Sequence, residues 1–300
     1  MERCSFFIEN KALFGSFPTQ ETVELLENKG VRVFVDLTDS NEQKTEPYNT
    51  KYKYIKYPIE DWQIPQDWMS FAQLIIEISQ IINDLKHDHL IYIHCRGGHG
   101  RSGMLVASIL CYYYGLSPED AIKQTSRCHS NRQIMREKWR RLGSPQGKKQ
   151  KDFVRRFFRP LKFGRMDNEY SIGMNNNSDH SVDIPEVGTF SNANLAFQSF
   201  RSDNPEYIQK LLRGEFDPNC IKEQKNWEEN KIQYMYKVLE CKFRQNETLK
   251  FNLMNTGLRP LIKSSFDSFW GDGGNGHGKN IHGKLLIKLR EQFLREEFHG

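Results

Sequence analysis

The sequence predicts an α/β protein of two domains: a mostly parallel sheet flanked by helices, then a smaller, mainly helical α+β domain. In the first half, helical patterns alternate with apolar strand patterns, which is typical of a parallel sheet. Residues 164–186 are rich in Gly, Asn, Ser and Asp without apolar periodicity, which indicates a linker. Helical patterns dominate after it. The predicted domains are therefore residues 1–163 and 187–300.

The first elements follow from turn and cap signals. Residues 6–18 predict a short hairpin, and Thr19 is placed to cap a helix that stops at Gly30. Residues 31–37, VRVFVDL, form a mostly apolar run that is typical of a strand covered on both faces. Residues 52–57 alternate like a second strand. This succession of helix and strands begins the predicted sheet domain.

The later elements of the first domain are mainly helices. Residues 67–86 carry apolar side chains three and four positions apart, which predicts a helix with one buried face. Residues 104–114 are apolar nearly all round, so we expect an interior helix that ends at Gly115. Ser117 begins another helix.

Residues 90–105, LIYIHCRGGHGRSGML, join a buried strand, a glycine-rich loop and an apolar helix. Glycines let backbone N–H groups turn inward, and the helix start adds a partial positive charge, so a tetrahedral dianion fits there. Cys95 lies at the mouth, where this field favours thiolate over thiol. Arg101 can hold two phosphoryl oxygens, and Ser102 can hydrogen-bond the sulfur. The predicted phosphate-binding loop consists of His94, Arg96, Gly97, Gly98, His99 and Gly100, with His99 at its rim.

A cysteine preceded by His and followed, after five residues, by Arg-Ser resembles the signature of the protein tyrosine phosphatases. The string HCRGGHGRSG is similar to that of the dual-specificity branch. The resemblance covers about residues 5–160 and implies a cysteine phosphatase fold. It also implies hydrolysis of phosphomonoesters through a cysteinyl-phosphate, without metal or cofactor. Phosphorylated Tyr, Ser or Thr of proteins are the expected substrates; lipid, RNA and metabolite phosphates stay open.

Thiolate attack on a phosphate ester leaves an oxyanion that a carboxylic acid must protonate. Residues 58–65, PIEDWQIP, follow the second predicted strand, where the dual-specificity family keeps this acid. The family pattern favours Asp61, and Glu60 is the alternative. A role of both acids in capping the next helix also stays open.

The second domain shows a different resemblance. The strings NWE at 226–228, KFRQN at 242–246, NTG at 255–257 and WGDGG with GKN, G and LRE at 270–291 resemble the YbiA-like N-glycosidases, also called NADAR. This resemblance implies cleavage of N-glycosidic bonds in ribosylamino or ADP-ribosyl substrates, which needs an aromatic wall, an acid and phosphate donors. The candidates are Trp270 for the wall, Asp272 for the acid, Gly273, Gly274, Gly278, Lys279 and Asn280 for the phosphates, and Trp227 and Lys242 besides.

The second domain departs from the NADAR pattern in two places. When Phe197-Gln198 is aligned with the family's Phe-Gln, Asn194 stands at the position of a Glu and Arg201 at that of a Lys. The domain is also short at its amino end. Because an Asn cannot act as a general base, we expect binding of an ADP-ribose-like or ribosylamino phosphate ligand, with hydrolysis left open.

The composition indicates the cellular compartment of the protein and the kind of partner it binds. No apolar run approaches the roughly 20 residues of a membrane span, and the amino end lacks the apolar core of a signal peptide. Six cysteines without CxxC pairs or zinc spacing favour a reducing, intracellular compartment, cytoplasmic or nuclear. The net charge of +5 is modest, so nucleic acid is not the expected partner, although it stays open. Two alternative functions remain: a phospho-ligand binding adaptor, and an N-glycosidase with an accessory phosphatase.

Overall fold

The computed structural model describes residues 2–43, 45–164 and 171–299. Contacts within the chain divide it into two compact units, Met1–Arg159 and Pro160–Gly300. In the described residues, the first unit carries a five-stranded sheet, and the second carries helices with two pairs of short strands. The predicted fold class, an α/β sheet domain followed by a mainly helical α+β domain, is therefore confirmed.

The sheet of the first unit is parallel except at one edge. Its strands are β1 (Cys4–Ile8), β2 (Ala12–Ser16), β3 (Val31–Asp36), β4 (Lys53–Lys56) and β5 (Leu90–Cys95). They lie in the order β1-β2-β5-β3-β4, and β1 and β2 form the antiparallel hairpin. β5 pairs in parallel with both β2 and β3 and is buried along its whole length. A central strand covered on both faces explains why its sequence is an unbroken apolar run.

Three helices of the first unit begin at a side chain that accepts from their free amides. The Oγ1 atom of Thr19 accepts the backbone N–H of Thr22, and the carboxylate of Asp67 accepts those of Met69 and Ser70. The six helices described here are α1 (Gln20–Asn28), α2 (Trp68–Asp84), α3 (Arg101–Tyr114), α4 (Pro118–Ser130), α5 (Glu137–Leu142) and α6 (Lys148–Phe157).

The helix α3 is the interior helix of the first unit. Every residue from its first, Arg101, to Cys111 is buried, and it ends at Gly115 in the left-handed conformation. At Gly103 an added Cβ would lie 1.9 Å from the Oγ atom of Ser144, so the helix can approach this segment only with glycine there. This close packing fixes the start of α3, at which the phosphate-binding loop ends.

The second unit is mainly helical. Its short strands β6 (Leu161–Phe163) and β9 (Leu261–Lys263) pair in parallel, and β7 (Val182–Ile184) and β8 (Gly188–Phe190) pair antiparallel. A 3₁₀ helix spans Pro218–Cys220. The helices are α7 (Ala193–Ser199), α8 (Pro205–Leu212), α9 (Trp227–Arg244), α10 (Glu247–Asn255) and α11 (Ile281–His299).

The structure differs from the predicted linker over residues 164–186. Residues 165–170 lie outside the described part, but Met174 is fully buried and residues 182–184 form β7. The strand β6, predicted to belong to the first domain, pairs with β9 of the second unit. Asn and Ser side chains of this region hydrogen-bond the local backbone instead of forming a periodic pattern, so composition suggested a connector.

No helix in the described ranges is long and apolar enough to cross a membrane.

Candidate active site

The glycine-rich loop joins β5 to α3 in the predicted order. Gly98 has a φ of +73°, and a Cβ there would lie 2.4 Å from the backbone of Gly15, so only glycine fits. Gly100 precedes α3 and provides no side-chain cap for it. The first-turn amides of α3 therefore point at the loop and have no side-chain acceptor there. Free amides of this kind are what an anion-binding helix start requires.

Cys95 is the last residue of β5 and is only 2% exposed. It lines a small cavity of about 80 Å³ together with the loop, and Arg101 and Asp61 line the same cavity. The Sγ atom of Cys95 lies 3.5 Å from the Oγ atom of Ser102, within hydrogen-bonding reach of a sulfur. The structure thus brings together all four residues to which the sequence assigns the chemistry.

The Arg101 guanidinium is buried and already oriented. Its Nη1 donates to Oε2 of Glu42 at 2.6 Å and to the carbonyl of Ile59 at 2.8 Å. Its Nη2 donates to Oε1 of Glu42 at 2.6 Å and to Oδ1 of Asp61 at 3.1 Å. Burial alone would lower the pKa of Arg101, but Glu42, Cys95 and Asp61 raise it overall. The guanidinium therefore stays positively charged.

Glu42 is a member of the site that sequence reasoning missed. Its side chain is 4% exposed and holds Arg101 in a bidentate ion pair. It follows β3, a parallel strand next to β5, so it lies at the carboxyl edge where open α/β sheets bind ligands. The position after a predicted strand could have identified an acid of the site. Nothing in the sequence, however, distinguishes Glu42 from neighbouring acids such as Glu46.

The segment after β4 supplies the predicted acid. The Oδ1 atom of Asp61 contacts Arg101, and Oδ2 lies 3.0 Å from Nη2 of Arg96. Trp62 beside it has a φ of +66°, and its ring is 53% exposed at the rim of the cavity. Glu60, the alternative acid, is exposed and does not line the cavity. Of the two candidate acids, Asp61 is the one adjacent to Cys95 and Arg101.

His94 lies behind the nucleophile in a buried polar network. Its Nε2 is 2.7 Å from the Tyr48 hydroxyl, and its Nδ1 is 3.7 Å from Oδ1 of Asp36. Burial lowers the pKa of His94, Asp36 opposes this shift and Lys56 adds to it, with a net pKa of about 4. Burial by itself raises the pKa of Asp36, but His94, Lys56 and the Tyr54 hydroxyl lower it overall. A neutral imidazole beside a carboxylate therefore supports the end of β5.

His99 supports the loop from its rim. Its Nδ1 lies 2.7 Å from Nε2 of His129 on α4, and its ring stacks on Trp139 at 5.0 Å between centroids. Burial lowers the pKa of His99 to about 4, and Arg132 lowers it as well, so the ring is neutral. Arg132 also donates to the carbonyl of Gly98 at 2.8 Å. The contacts fit the predicted rim position of His99.

In the second unit, several candidate side chains serve their own loop. Oδ1 of Asp272 accepts the backbone N–H groups of Ser265 and Gly274, and these bonds lower the pKa of Asp272. The Asn280 amide bonds the backbone of β9 through both its oxygen and its nitrogen. Gly273 and Gly274 have positive φ values that turn the loop. The loop is thus internally ordered.

The aromatic candidates of the second unit meet around one ring. Trp227 and Trp270 both contact Phe197, at 5.0 and 5.4 Å between centroids. Lys279 lies over Phe269, which in turn contacts Trp270. Trp270 is half-buried, whereas Trp227 is 6% exposed. Trp270 is therefore the ring of the two with surface left for a ligand.

The remaining second-unit residues separate into buried and exposed ones. Lys242 is 1% exposed and donates to the carbonyl of Asn175 and the hydroxyl of Ser178. Arg201 donates to Glu223 and lies 5.8 Å from the Trp227 ring. Asn194, at the family's Glu position, is on α7 and half-buried.

The first unit, with a free cysteine at the end of a buried strand facing a glycine loop, is a cysteine-dependent phosphatase domain of the tyrosine and dual-specificity class. A family model described as "Polymorphic toxin system, DSP-PTPase phosphatase" matches residues 10–114. One described as "NADAR domain" matches residues 164–294, which include the segment predicted as linker. The amino-terminal part of that domain therefore extends into the segment before residue 187.

Relatives match over both units. "Putative tyrosine phosphatase 197R" of Invertebrate iridescent virus 6 is 33% identical over 97% of this chain and 95% of its own length. The chain belongs to the family of this protein, and it fuses a phosphatase domain to a NADAR domain. "N-glycosidase YbiA" of Shigella flexneri serotype 5b is 47% identical over 24% of this chain and 46% of its own. The solution structure of E. coli YbiA is 28% identical, with a TM-score of 0.42 over 47% of this chain and 89% of that one.

Replacing Glu42→Gln removes the charge that orients Arg101 while keeping the side-chain shape. Because hydrogen bonds to charged groups contribute about 1.5–3 kcal/mol, we expect kcat/KM for p-nitrophenyl phosphate to fall at least about tenfold. The control is Glu46→Gln in the same segment, whose exposed side chain does not line the cavity. An equal effect of both substitutions on steady-state kinetics would show that Glu42 does not position Arg101.

The buried neutral imidazole of His94 makes stability depend on pH. Its pKa is about 4 in the folded protein, against 6.5 as the ordinary value, so the unfolded chain binds more protons between these pH values. The stabilisation is complete above pH 6.5 and is lost as the pH falls towards 4, by about 3 kcal/mol for this residue. Urea unfolding at pH 7 and pH 5 should show about 2 kcal/mol of this loss.

Two substitutions isolate the contribution of His94. His94→Gln should show a smaller loss of unfolding free energy between pH 7 and pH 5 than the unchanged chain. The control His87→Gln alters a fully exposed histidine and should leave the pH dependence as it was. Equal pH dependence in all three proteins would assign the loss to other groups.

Proposed function

We propose that the first unit hydrolyses phosphomonoesters with Cys95 as the nucleophile. The observation that carries this is that Cys95, Arg101 and Asp61 line one cavity at the start of a buried helix. The thiolate attacks phosphorus and forms an S–P bond while the P–O bond to the leaving group breaks. Arg101 and the loop amides stabilise the charge on the equatorial oxygens.

Asp61 carries the proton in both steps. In the first step its protonated carboxyl gives the proton to the leaving oxygen. In the second step its carboxylate takes a proton from water, the water oxygen bonds phosphorus, and the S–P bond breaks to release inorganic phosphate. The hydroxyl of Ser102, 3.5 Å from the sulfur, donates to the thiolate as it leaves.

The contacts of Arg101 support this order of steps. Four of its five N–H groups are used, and among the described residues the Nε–H has no acceptor. A phosphate takes the Nε–H and competes with Asp61 for Nη2, whereas Glu42 keeps its two bonds. Substrate binding therefore releases Asp61 from Arg101 towards the leaving group.

The proposed substrates are phosphorylated Tyr, Ser or Thr side chains of proteins. The exposed ring of Trp62 at the rim offers a surface to the group that bears the phosphate. The alternative of a phospho-ligand binding adaptor is disfavoured because nucleophile, guanidinium and acid are adjacent. An adaptor needs the guanidinium and amides but neither a sulfur nor an acid at these positions.

Substitutions at the cavity test the assigned roles. Cys95→Ser should abolish hydrolysis of p-nitrophenyl phosphate and of a phosphotyrosyl peptide. Asp61→Ala should lower kcat for the peptide about 10²- to 10⁴-fold with KM nearly unchanged, because general acid catalysis contributes on that scale. Glu60→Ala is the matched control and should behave like the unchanged protein. A large loss in Glu60→Ala with little in Asp61→Ala would assign the acid to Glu60 instead.

For the second unit we propose binding of an ADP-ribose-like or ribosylamino phosphate ligand. The match to the NADAR family and the half-buried Trp270 support a site for a base or sugar. Asn194 at the family's Glu position disfavours hydrolysis, since an amide cannot act as a base. Lys242 is fully engaged in the interior, and Asp272 holds two backbone amides.

Calorimetry with ADP-ribose tests this site in the full-length Cys95→Ser protein. Trp270→Ala should weaken binding about tenfold, because stacking on one aromatic side chain contributes about 1–3 kcal/mol per base. The control Phe251→Ala removes a ring that is 50% exposed on α10. Equal affinities of the two variants would contradict a role for Trp270. Release of guanine from an ADP-ribosylated nucleotide, followed by chromatography, would instead assign N-glycosidase activity to this unit.

We also propose that the protein acts inside cells, in the cytoplasm or nucleus. A cysteine nucleophile requires a reduced thiol, which reducing compartments maintain. Cys95 is a free thiol.

A further inference from the structure

A cluster of three chemically different side chains lies in the second unit, outside the sites described above. Lys210 is in the last turn of α8, Asp217 precedes the 3₁₀ helix, and Cys220 ends it. The Nζ atom of Lys210 lies 3.2 Å from Sγ of Cys220 and 3.2 Å from Oδ2 of Asp217. The Sγ atom of Cys220 lies 3.1 Å from the same carboxylate oxygen. An amine, a thiol and a carboxylate are thus in mutual contact.

The surroundings of Cys220 are those of a reactive thiol. All three side chains of the cluster are half-buried, so a small solute reaches the sulfur. Cysteines that are partly exposed beside a lysine are the ones that react with oxidants, whereas cysteines buried in apolar surroundings are inert. Cys111 on α3 is of the second kind, because burial raises its pKa to about 12.

The distance between nitrogen and sulfur is suited to a reaction between them. Reacting atoms held at about 3–3.5 Å are already in a near-attack geometry. An oxidised cysteine, the sulfenic acid, condenses even with a backbone nitrogen to form a sulfenamide. The amine of Lys210 is a stronger nucleophile than a backbone amide and lies 3.2 Å from the sulfur. Oxidation of Cys220 therefore places an electrophilic sulfur beside a nucleophile.

We propose that Cys220 and Lys210 form a covalent S–N cross-link when the protein meets a peroxide, so that the second unit carries a redox modification site. The sulfur of Cys220 first attacks one peroxide oxygen, the O–O bond breaks, and a sulfenic acid and one water form. The Nζ atom of Lys210, after it has given its extra proton to water, then attacks the sulfur. The S–O bond breaks, and hydroxide leaves with one amine proton as a second water. The sulfur has lost two electrons, which the peroxide oxygens have gained.

The charges of the cluster favour this order of steps. The hydrogen bond to Cys220 raises the pKa of Lys210, and Asp217 raises it as well. Oxidation makes the sulfur a neutral sulfenic acid and removes the first of these contributions, so the amine loses its proton more readily after the first step. Contacts with Cys220, the Asn219 amide and Lys210 lower the pKa of Asp217 to about 2, so Asp217 stays a carboxylate throughout.

Tyr207 is a second, independent indication of polar chemistry at this place. Its side chain is fully buried on α8, and its hydroxyl has no hydrogen-bond partner among the described residues. Tyr207 and Lys210 are three positions apart and therefore lie on the same face of the helix. Burial raises the pKa of Tyr207, Arg201 opposes this shift, and Cys220 adds to it. The oxygen of a sulfenic acid on Cys220 provides an acceptor on the side to which this hydroxyl belongs.

The cross-link would restrain a segment that borders the aromatic candidates of the second unit. After Cys220 the chain bonds the segment that follows α7: the backbone N–H of Lys222 donates to the Ser202 hydroxyl, and Arg201 donates to Glu223. Arg201 in turn lies 5.8 Å from the Trp227 ring. A bond between Cys220 and α8 therefore fixes residues 211–219 and the start of this contact. Excess thiol reverses the reaction, because two thiols become a disulfide and restore the cysteine and the amine.

The experiment treats the full-length Cys95→Ser protein with hydrogen peroxide, so that the phosphatase nucleophile does not compete for the oxidant. Mass spectrometry of a digest then identifies the products at Cys220. In this background, Lys210→Arg keeps a cation beside Asp217 but lacks the amine, and Cys220→Ser lacks the sulfur. The matched control is Lys222→Arg, which changes an exposed lysine two residues from Cys220.

We expect a joined peptide that contains Lys210 and Cys220 and weighs two hydrogen atoms less than the sum of its parts. It should form in Lys222→Arg, be absent from Lys210→Arg and Cys220→Ser, and disappear on treatment with dithiothreitol. Oxidation of Cys220 without a joined peptide, or a joined peptide that persists in Lys210→Arg, overturns the proposal. A joined peptide that is heavier by one oxygen atom contradicts the S–N bond.

Hydrogen exchange gives a second measurement on the folded protein. After peroxide treatment, amides of residues 211–219 should exchange about tenfold more slowly or less, because closing a short loop restricts its open states. Lys210→Arg should show no such slowing, while exchange in the rest of the second unit confirms that each variant is folded. Equal exchange before and after treatment contradicts the restraint. Neither measurement depends on the proposed phosphatase or ligand-binding functions.

Discussion

The buried ion pair between Arg101 and Glu42 is the interaction on which the arrangement of the site depends. It connects the start of α3 to the segment after β3, and Arg101 extends the connection to Ile59 and Asp61 after β4. Removing two charges from water costs free energy, and the attraction within a buried ion pair does not always offset that cost. The main effect of the pair is therefore on geometry and not on stability. It holds a guanidinium in one orientation beside Cys95, which is the geometry that phosphate binding requires.

The charges around the phosphate-binding loop determine how a phosphate can bind there. In the catalytic cavity Arg96 and Arg101 face Glu42 and Asp61, so an arriving phosphate must displace an existing contact, and the weakest is the single bond to Asp61. Displacement there leaves Asp61, to which we assign the proton transfer, in contact with Arg96.

The sequence was sufficient where the determinants are local. A strand, a glycine loop and a helix start in 16 consecutive residues predicted the position of Cys95 and Arg101, since the constraint at Gly98 is local to that loop. Glu42 and Arg132 could not be predicted, because their partners lie 59 and 34 residues away. The predicted linker differed because Asn and Ser can order a segment through side-chain bonds to the backbone without apolar periodicity.

The second unit shows why residue type does not determine a role. Asp272 and Asn280 have the functional groups that glycosidic chemistry needs. In the structure, however, both side chains hydrogen-bond the backbone around a glycine-rich turn. Asp and Asn often form such turns, so these residue types fit a structural role in the loop as well as a catalytic role. Trp270 differs. Its indole lies beside Phe197 and is only half-buried, so part of its apolar surface remains exposed to water. That exposure is unfavourable, and the order of the loop does not require it. A bound base or sugar would remove that exposure, which is why the ring and not the carboxylate supports the proposed ligand site.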